Sequence, residues 1–184
     1  MQDEYTALLI GRFQPFHIGH LDGLWKILEN YNVSDIKVIV VRSENFRIND
    51  NPIPLNVTID NILKGLKKIY GDKYNIELYG TYYKNLIDLF NKIGNILDNN
   101  KYNRDYVTTT GDIKRLIMFE MAGIFYKIIY DINFKVIYSP RIISGREIRE
   151  NLRSGNMEYI KYIVYPEDEI INYIIHLQKK SNSL

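Results

Sequence analysis

Two patterns in this 184-residue sequence predict an α/β fold built on a parallel sheet. Short apolar runs of strand length recur along the chain, and each is followed by a longer segment with apolar residues three and four positions apart. Strict alternation of strand and helix favours parallel strands joined by helical crossovers. We therefore predict a doubly wound, Rossmann-like sheet of five parallel strands, followed by a helical C-terminal segment.

The strand pattern is clear in five segments rich in apolar side chains, namely residues 5–10, 36–41, 74–79, 106–110 and 134–138. The helical pattern occupies residues 18–30, 57–70, 83–98, 113–125 and 144–153, and a last helix with a broad apolar stripe begins near Pro166. The polar stretch over residues 42–56 contains two prolines and is predicted to be a loop. It lies at the carboxyl edge of the second strand, where ligands bind in such sheets.

The composition is typical of a globular protein and excludes several classes of function. The chain is 46% hydrophobic and 25% charged, and no segment approaches the 18 consecutive apolar residues of a membrane span. The absence of cysteine excludes thiol redox chemistry and zinc sites built on thiolates. A net charge of +2 with scattered Lys and Arg argues against nucleic-acid binding. We expect a single domain over residues 1–184, located in the cytoplasm, with no membrane or nucleic-acid partner.

The segment GRFQPFHIGH joins the first strand to the first helix and has the character of a phosphate site. Two of the three histidines of the chain, His17 and His20, share one face of the helix start. Gly11 and Gly19 allow the backbone to approach a ligand closely, and a helix N-terminus presents unpaired N–H groups. Arg12 adds a permanent cation whose planar group grips phosphate oxygens. The segment therefore indicates a polyphosphate-binding site.

The same residues also have plain structural interpretations. His17 can cap the helix, His20 can be a packed surface residue, and Arg12 can be half of an ion pair. A metal site would need a third ligand besides the histidines; Asp22 could contribute an oxygen, but we do not favour a metal here. The residues taken alone leave these alternatives open.

A second segment, ISGREIR, follows the fifth strand and begins another helix. Ser144 stands at an N-cap position, and Glu147 completes an S-x-x-E capping box. Arg146, Arg149 and Arg153 lie along one helical face that begins at the positive end of the helix dipole. That face is either a solvated surface or a second phosphate site.

The motif HIGH within GRFQPFHIGH resembles the signature of the nucleotidyltransferase superfamily, and GRFQP-x-H-x-GH resembles archaeal nicotinamide-mononucleotide adenylyltransferases in particular. ISGREIR is similar to the ISGTEIR-type motif of that family, with Arg146 in place of its Thr. Class I aminoacyl-tRNA synthetases share HIGH, but they are far longer and carry a KMSKS loop that this chain lacks. The resemblance covers most of the chain in order and is sharp only in the two motifs.

The resemblance implies transfer of AMP from ATP to nicotinamide mononucleotide, giving NAD and pyrophosphate, with Mg²⁺ accompanying the ATP. It implies that His17, His20, Arg12 and Arg149 are catalytic. The turn after the fourth strand resembles the family's turn against the nucleotide, although a plain turn and helix cap would explain it equally well. The implied nucleotide-binding residues are Gly11, Arg12, Phe13, Gly19, Gly111, Asp112, Ser144, Gly145, Arg146 and Arg149.

The chain departs from the family where the acceptor would bind. Family members place a Trp after the third strand, where it stacks on the nicotinamide ring, whereas the only Trp here is Trp25, which we predict to be in the core. At the corresponding place the chain reads GTYYKNLIDLF, in which Phe90 is more typical of the core than of a stacking face. The candidate acceptor-binding residues are Arg47, Tyr82, Tyr83 and Asn85.

Two alternatives to this function remain open. One is a transferase of the same superfamily with another phosphate acceptor, such as a flavin, pantetheine or sugar-alcohol phosphate. The other is a non-catalytic nucleotide-sensing module, against which the intact histidines and motif Arg argue. Relatives commonly assemble, so we also expect a homo-oligomer, with the apolar stripe of the terminal helix as a candidate interface.

Overall fold

The computed structural model describes residues 4–45, 50–99 and 104–176, and these contain a five-stranded parallel sheet. The strands are β1 Tyr5–Gly11, β2 Val33–Ser43, β3 Asn75–Tyr83, β4 Asp105–Thr110 and β5 Asn133–Tyr138. Their spatial order is β3-β2-β1-β4-β5, so the chain builds outward from β1 in one direction and then in the other. This is the doubly wound order, and the predicted fold class is confirmed.

A helix follows each strand, as the periodicity predicts. The helices are α1 Ile18–Asn30, α2 Leu55–Tyr70, α3 Leu86–Asp98, α4 Ile113–Tyr130, α5 Gly145–Arg153 and α6 Asp168–His176, with a 3₁₀ helix at Met157–Tyr162. No helix among these described residues has the length and apolar character needed to cross a membrane.

Several element boundaries differ from the prediction, and two ends lie four or more residues beyond it. The third strand continues to Tyr83, because residues 80–83 pair with residues 40–43 of β2, so α3 begins at Leu86. Helix α4 continues to Tyr130 and ends where Asp131 adopts a left-handed backbone conformation, with φ of 52°. In both cases pairing or packing extends an element beyond its strongest local pattern.

The sheet separates two apolar cores because successive side chains of a strand point to opposite faces. Ala7 and Leu9 of β1 pack on one face with α1 and α2, whereas Leu8 packs on the other face with α3 and α4. Phe90 of α3 packs against this second core, its ring centroid 6.0 Å from that of Phe125. The helices therefore cover both faces and leave the carboxyl ends of the strands for the loops.

The helical C-terminal segment forms a third core with the loop after β2. Ile148 and Leu152 of α5 pack with Ile170 and Ile174 of α6 and with Ile53 of that loop. Because Ile170 and Ile174 are almost fully buried, the apolar stripe of α6 is used within the chain. Ile170 and Ile174 are therefore not available for contact with a second copy.

Trp25 lies on the surface, and the prediction that it belongs to the core is wrong. Its side chain is 59% exposed. Helix α1 buries Gly23, Leu24 and Ile27 against the sheet. Trp25 is one residue beyond Leu24, which turns it about 100° away from that face.

Candidate functional site

The strand order reverses between β1 and β4, and a cleft opens at the carboxyl ends of these two strands. Loops from β1, β4 and β5 and the start of α5 line it. Both sequence motifs, which lie more than a hundred residues apart, contribute to it. A switch point of this kind is where doubly wound sheets bind ligands.

His17 and His20 form a reciprocal cap at the start of α1. The Nδ1 atom of His17 accepts a hydrogen bond from the Gly19 N–H at 3.2 Å, and Nδ1 of His20 accepts one from the His17 N–H at 3.2 Å. Because both Nδ1 atoms act as acceptors, the proton of each neutral ring is on Nε2. The capping interpretation is therefore correct, and it also leaves each ring with an N–H donor on its other side.

Both histidines are neutral at pH 7. Burial, followed by the charges of Arg141 and Arg149, lowers the pKa of His17 from 6.5 to about 4. Burial also lowers the pKa of His20 well below 6.5, with contributions from His17, whose ring centroid is 3.8 Å away, and from nearby arginines. The pair therefore offers hydrogen-bond donors without a positive charge of its own.

The aromatic residues of the first motif support His20. Phe13 is buried with a left-handed backbone, φ 48°, and its ring centroid lies 4.8 Å from that of His20. Phe16 stacks on the same imidazole with a centroid distance of 5.6 Å. A Cβ at Gly11 would lie 3.3 Å from Phe13 Cζ, so this glycine leaves room for the ring. Phe13 contacts the imidazole of His20, besides lining the cleft.

The C-terminal segment also holds the first motif in place. The Val164 N–H donates to the Phe16 carbonyl at 3.1 Å, and Ile163 forms an isolated antiparallel bridge with His17. A Cβ at Gly19 would lie 3.1 Å from the Ile143 carbonyl. The histidine loop is therefore enclosed by residues that follow β5.

The two motifs meet at Gln14. Nη1 of Arg149 donates to the Gln14 carbonyl at 2.5 Å, and a Cβ at Gly145 would lie only 2.7 Å from that same oxygen. The Gln14 side chain donates to the Ile53 carbonyl at 2.8 Å and accepts from the Ile53 N–H at 2.9 Å. This role of Gln14 is not signalled by its sequence context, because its partners come from two distant segments.

Arg149 is the buried cation of the cleft. It is 4% exposed, and its Nε has no hydrogen-bond partner among the described residues. Burial, with the charges of Arg12 and Arg153, lowers the pKa of Arg149 to about 10, so the side chain remains charged at pH 7. A buried charge without a carboxylate partner is costly unless a ligand supplies one.

The other two arginines of α5, Arg146 and Arg153, have different surroundings. Arg146 is exposed and pairs with Glu150 at 2.7 Å, although it borders the cleft. Arg153 donates from Nε to the Ile174 carbonyl of α6 at 3.0 Å. Ser144 caps α5 by accepting from the Glu147 N–H at 3.1 Å. The three arginines therefore do not form one cationic face. Arg149 is buried in the cleft, Arg146 forms a surface ion pair, and Arg153 bonds to a carbonyl of α6.

Arg12 is exposed at the edge of the cleft, and no carboxylate lies within ion-pair distance of it in the described part of the chain. The ion-pair interpretation is therefore not supported. Its carbonyl instead accepts a hydrogen bond from Arg42. Arg42, near the predicted ligand edge, is 2% exposed and also donates to Thr58 Oγ1 at 3.0 Å. Arg42 thus holds the backbone of the first motif in place through the Arg12 carbonyl.

Two further arginines line the cleft: Arg115, at the start of α4 after β4, and Arg141, in the segment after β5. Partial burial, with the charges of Arg141 and Arg12, lowers the pKa of Arg115. A Cβ at Gly111 would lie 2.5 Å from Arg141 Cγ, so Gly111 permits this approach. Asp112 caps α4 by accepting from the Lys114 N–H at 2.9 Å and pairs with Arg141 at 3.5 Å. Sequence reasoning missed both arginines, although each follows a strand at its carboxyl end.

Asp22, considered as a metal ligand, has other partners. Its Oδ2 pairs with Lys26 Nζ at 2.7 Å and accepts from Ser139 Oγ at 3.3 Å. Among residues 4–45, 50–99 and 104–176 no three His, Cys, Asp or Glu side chains form a group able to hold a metal ion. The oxygen of Asp22 is thus committed to a local network beside the cleft.

The acceptor candidates at the end of β3 are not gathered at one point. Tyr82 is 44% exposed and lines a second cavity with Asn51 and Pro52, whereas Tyr83 packs on the opposite face of the sheet. Asn85 caps α3, its Oδ1 accepting from the Asp88 N–H at 2.9 Å. Arg47 lies outside the described residues.

Fold and cleft together define a doubly wound α/β protein with a cationic site at its switch point, and solved structures share this fold. A bifunctional NMN adenylyltransferase/ADP ribose pyrophosphatase from Francisella tularensis aligns with TM-score 0.68 and 18% identity over 100% of this chain and 51% of that chain. A structure with the same description, complexed with AMP and a manganese ion, aligns with TM-score 0.59 and 16% identity, covering 100% and 50%. A NadR protein in complex with NAD and AMP-PNP aligns with TM-score 0.60 and 16% identity, covering 89% and 46%.

This chain therefore spans about half the length of these structures. At such identities the likeness shows a shared fold. No protein-family model and no curated protein matches the chain.

Proposed function

We propose that this protein is a nucleotidyltransferase that transfers AMP from ATP to nicotinamide mononucleotide, forming NAD and pyrophosphate. The observation that carries the proposal is the charge of the cleft. Its described lining includes five arginines and no carboxylate, and the arginines are Arg12, Arg115, Arg141, Arg146 and Arg149. Arg141 and Arg146 pair with Asp112 and Glu150, which lie outside this lining. The excess of positive charge that the other arginines leave in a partly buried site favours a polyanionic ligand such as a nucleoside triphosphate.

The histidines supply a second kind of group, suited to a charge that develops during reaction. Neutral imidazoles with Nε2–H donors can bond the α-phosphate oxygens as negative charge builds in the transition state. Their capping bonds hold the rings in place beforehand, so little reorganisation is needed. We assign His17 and His20 to the α-phosphate and leaving pyrophosphate, Arg149 to the β and γ phosphates, and Arg12 to assist them.

The reaction needs no covalent enzyme intermediate. A phosphate oxygen of the acceptor attacks the α-phosphorus of ATP in line, the α–β anhydride bond breaks, and pyrophosphate leaves with that electron pair. The acceptor phosphate is mostly dianionic at neutral pH because its second pKa is about 6. The protein accordingly has to position the reactants and stabilise charge. The Ser144 hydroxyl, which lines the cleft, is engaged as a helix cap.

A divalent cation would enter this site bound to the phosphates of the nucleotide. Since no carboxylate is found in the described lining of the cleft, the cation would be held by phosphate oxygens and water. Such an ion would neutralise phosphate charge. In keeping with this, one structure of similar fold is complexed with AMP and a manganese ion.

The acceptor half of the proposal rests on the end of β3. The charge of Arg115, which lines the cleft, interacts with the Tyr83 hydroxyl. The charge of Arg42 interacts with the Tyr82 hydroxyl. We assign Tyr83 or Tyr82 to stack on the acceptor ring, with the Asn85 amide as a donor and Arg47 on a phosphate. Structures of similar fold that are described as NMN adenylyltransferase or contain NAD support this choice of acceptor.

The second candidate is transfer to a different phosphate acceptor. It is favoured by one observation, that tyrosines stand where the family has its stacking Trp. A non-catalytic nucleotide-sensing module is the third, and the positive charge of the cleft does not distinguish it from an enzyme.

The test is a product assay with purified protein, ATP or CTP, and MgCl₂. The acceptors are nicotinamide mononucleotide, a flavin mononucleotide, a phosphopantetheine and a sugar-alcohol phosphate, and both pyrophosphate and the dinucleotide are measured. NAD formed from ATP with the first acceptor supports the proposal. Pyrophosphate release with another acceptor alone supports the second candidate, and saturable ATP binding without pyrophosphate release supports the third.

A further inference from the structure

Helix α4 carries an apolar stripe on its outer face. We define the α4 stripe as Ile117, Met121, Ile124 and Ile128, whose side chains are between 59% and 75% exposed. The opposite face of the same helix is buried in the core through Phe119, Ala122 and Tyr126. Helix α4 is thus apolar on both sides, although only one side is covered.

An exposed stripe of this kind is unusual for a helix in water. A helix that is hydrophobic all round is normally buried, and contiguous exposed apolar surface marks an interaction site. Trp25 is exposed to the same extent but stands alone on α1. The α4 stripe instead continues over three turns, and Ile113, 64% exposed, extends it toward the helix start.

The spacing of the stripe fits a second copy of the same helix. Its members are separated by four, three and four residues, so the spacing is the same in both directions along the helix. Two antiparallel copies therefore place Ile117 opposite Ile128 of the second copy and Met121 opposite Ile124. Alternating steps of three and four are those of knobs-into-holes packing, and a self-complementary stripe is what a two-fold interface requires.

The charges beside the stripe are complementary in the same arrangement. Glu120 and Lys127 lie seven residues apart along one edge of the stripe. In an antiparallel pair these edges face each other, so Glu120 of each copy lies beside Lys127 of the other. A parallel pair would instead put this edge against Met118 and Phe125. The present partner of Lys127, Asp131 at 2.5 Å, is 79% exposed, and such a pair competes weakly with a new one.

We propose that the α4 stripe is a two-fold, antiparallel interface between two copies of this chain, flanked by two Glu120–Lys127 ion pairs. The inference is independent of the proposed reaction, since no member of the stripe lines the cleft. It moves the predicted contact between copies from α6 to α4.

Sedimentation velocity over a range of concentrations tests the interface. We expect a reversible dimer that Met121→Lys makes monomeric, while Ile87→Lys, a change at an exposed apolar residue of α3, leaves the dimer intact. Circular dichroism and thermal unfolding check that both variants fold. A monomeric wild-type protein at high micromolar concentration would overturn the proposal, and so would a dimer that Met121→Lys does not weaken.

Charge reversal tests the antiparallel arrangement. Glu120→Lys alone and Lys127→Glu alone each create like-charge contacts at two symmetric places, and we expect each to raise the dimer Kd about tenfold. The double variant E120K/K127E restores both pairs and is expected to return the Kd to within about threefold of the wild-type value. Single variants that weaken the dimer without rescue in the double variant would overturn the arrangement.

Because the chain contains no cysteine, disulfide cross-linking gives a second readout of the arrangement. A mixture of the Ile117→Cys and Ile128→Cys proteins is expected to form mixed disulfide dimers on mild oxidation. The Ile117→Cys protein alone is expected to remain uncrosslinked, because antiparallel helices separate the two copies of residue 117 by about 16 Å along the axis. Efficient cross-linking of Ile117→Cys with itself would contradict the antiparallel pair.

Discussion

The switch-point cleft and the end of β3 lie at the same edge of the sheet, but their polar groups differ in whether they have partners within the chain. In the cleft, Arg12 has no carboxylate within ion-pair distance among the described residues, and the Arg149 Nε has no partner among them. At the end of β3, Asn85 caps α3, and Asp88 accepts from the Lys84 N–H at 2.9 Å and pairs with Lys92 at 3.0 Å. The cleft therefore leaves donors without partners among the described residues, whereas the polar groups at the end of β3 bond to one another.

This difference explains why the structure supports the proposed nucleotide site more strongly than the proposed acceptor site. Positive charge favours phosphate whatever the rest of the ligand is, so the charge of the cleft supports the nucleotide half of the proposed reaction. Capping residues give no such indication, because their hydrogen bonds would be the same without a ligand. The following predictions test the contrast, beginning with the largest effect.

Replacing His20 with Ala should lower kcat about a hundredfold to a thousandfold, because it removes a donor that acts mainly in the transition state. The KM for ATP should change by less than about threefold. Steady-state measurement of pyrophosphate release separates the two constants. Trp25→Ala, an exposed change on the same helix, is the control and should leave both constants unaltered. Unchanged turnover in the His20 variant would contradict the assignment.

Protein stability should fall between pH 6.5 and pH 5 because of the buried histidines. The pKa of His17 is about 4 in the folded chain against 6.5 in the unfolded chain, so the unfolded state binds more protons in this window. His17 alone should lower the free energy of unfolding by about 1.5 kcal/mol over that range, and its contribution becomes nearly constant only above about pH 7.5. His20 acts in the same direction.

Urea unfolding at several pH values measures this dependence. His17→Asn is the matched variant, because Asn is a good N-cap but does not titrate. Its stability should vary less with pH than that of the wild type. Equal slopes in the two proteins would show that His17 does not carry a lowered pKa.

Replacing Arg149 with Lys should raise the KM for ATP about tenfold to a hundredfold. A charge-assisted hydrogen bond is worth about 1.5–3 kcal/mol, and an ammonium group cannot reproduce the planar fork of a guanidinium. Arg146→Lys on the same helix is the comparison, and we expect about threefold or less, because Arg146 is exposed and paired with Glu150. Equal effects at the two positions would mean that burial does not distinguish their roles.

Replacing Arg115 with Ala should raise the KM for ATP about fivefold, a smaller change because the side chain is only partly buried. Lys114→Ala removes the same charge from the neighbouring residue, which does not line the cleft, and serves as the control. Isothermal titration with ATP and the kinetic assay should agree. A larger effect from Lys114 than from Arg115 would indicate long-range charge, with no specific contact.

The sequence predicts where the two motif segments lie in the fold, because its signals are local. Each phosphate segment joins a strand to a helix, so its place at the carboxyl edge follows from the order of elements alone. The same rule applies to Arg115 and Arg141, which sequence reasoning nevertheless overlooked for want of a motif. Gln14 could not be assigned in this way, since its hydrogen bonds reach Ile53 and Arg149, and Arg149 is 135 positions away.

Sequence alone determined the alternation of strands and helices, the parallel sheet, and the two segments at its switch point, because periodicity and capping act over a few residues. Tertiary structure alone decided which side chains are buried. It buried Arg149 while Arg146, which also lines the cleft, meets solvent and Glu150, and it left Trp25 on the surface. Burial also lowers the pKa of both histidines. The physical reason is that desolvation depends on everything that packs around a group, and these neighbours come from segments far apart in the chain.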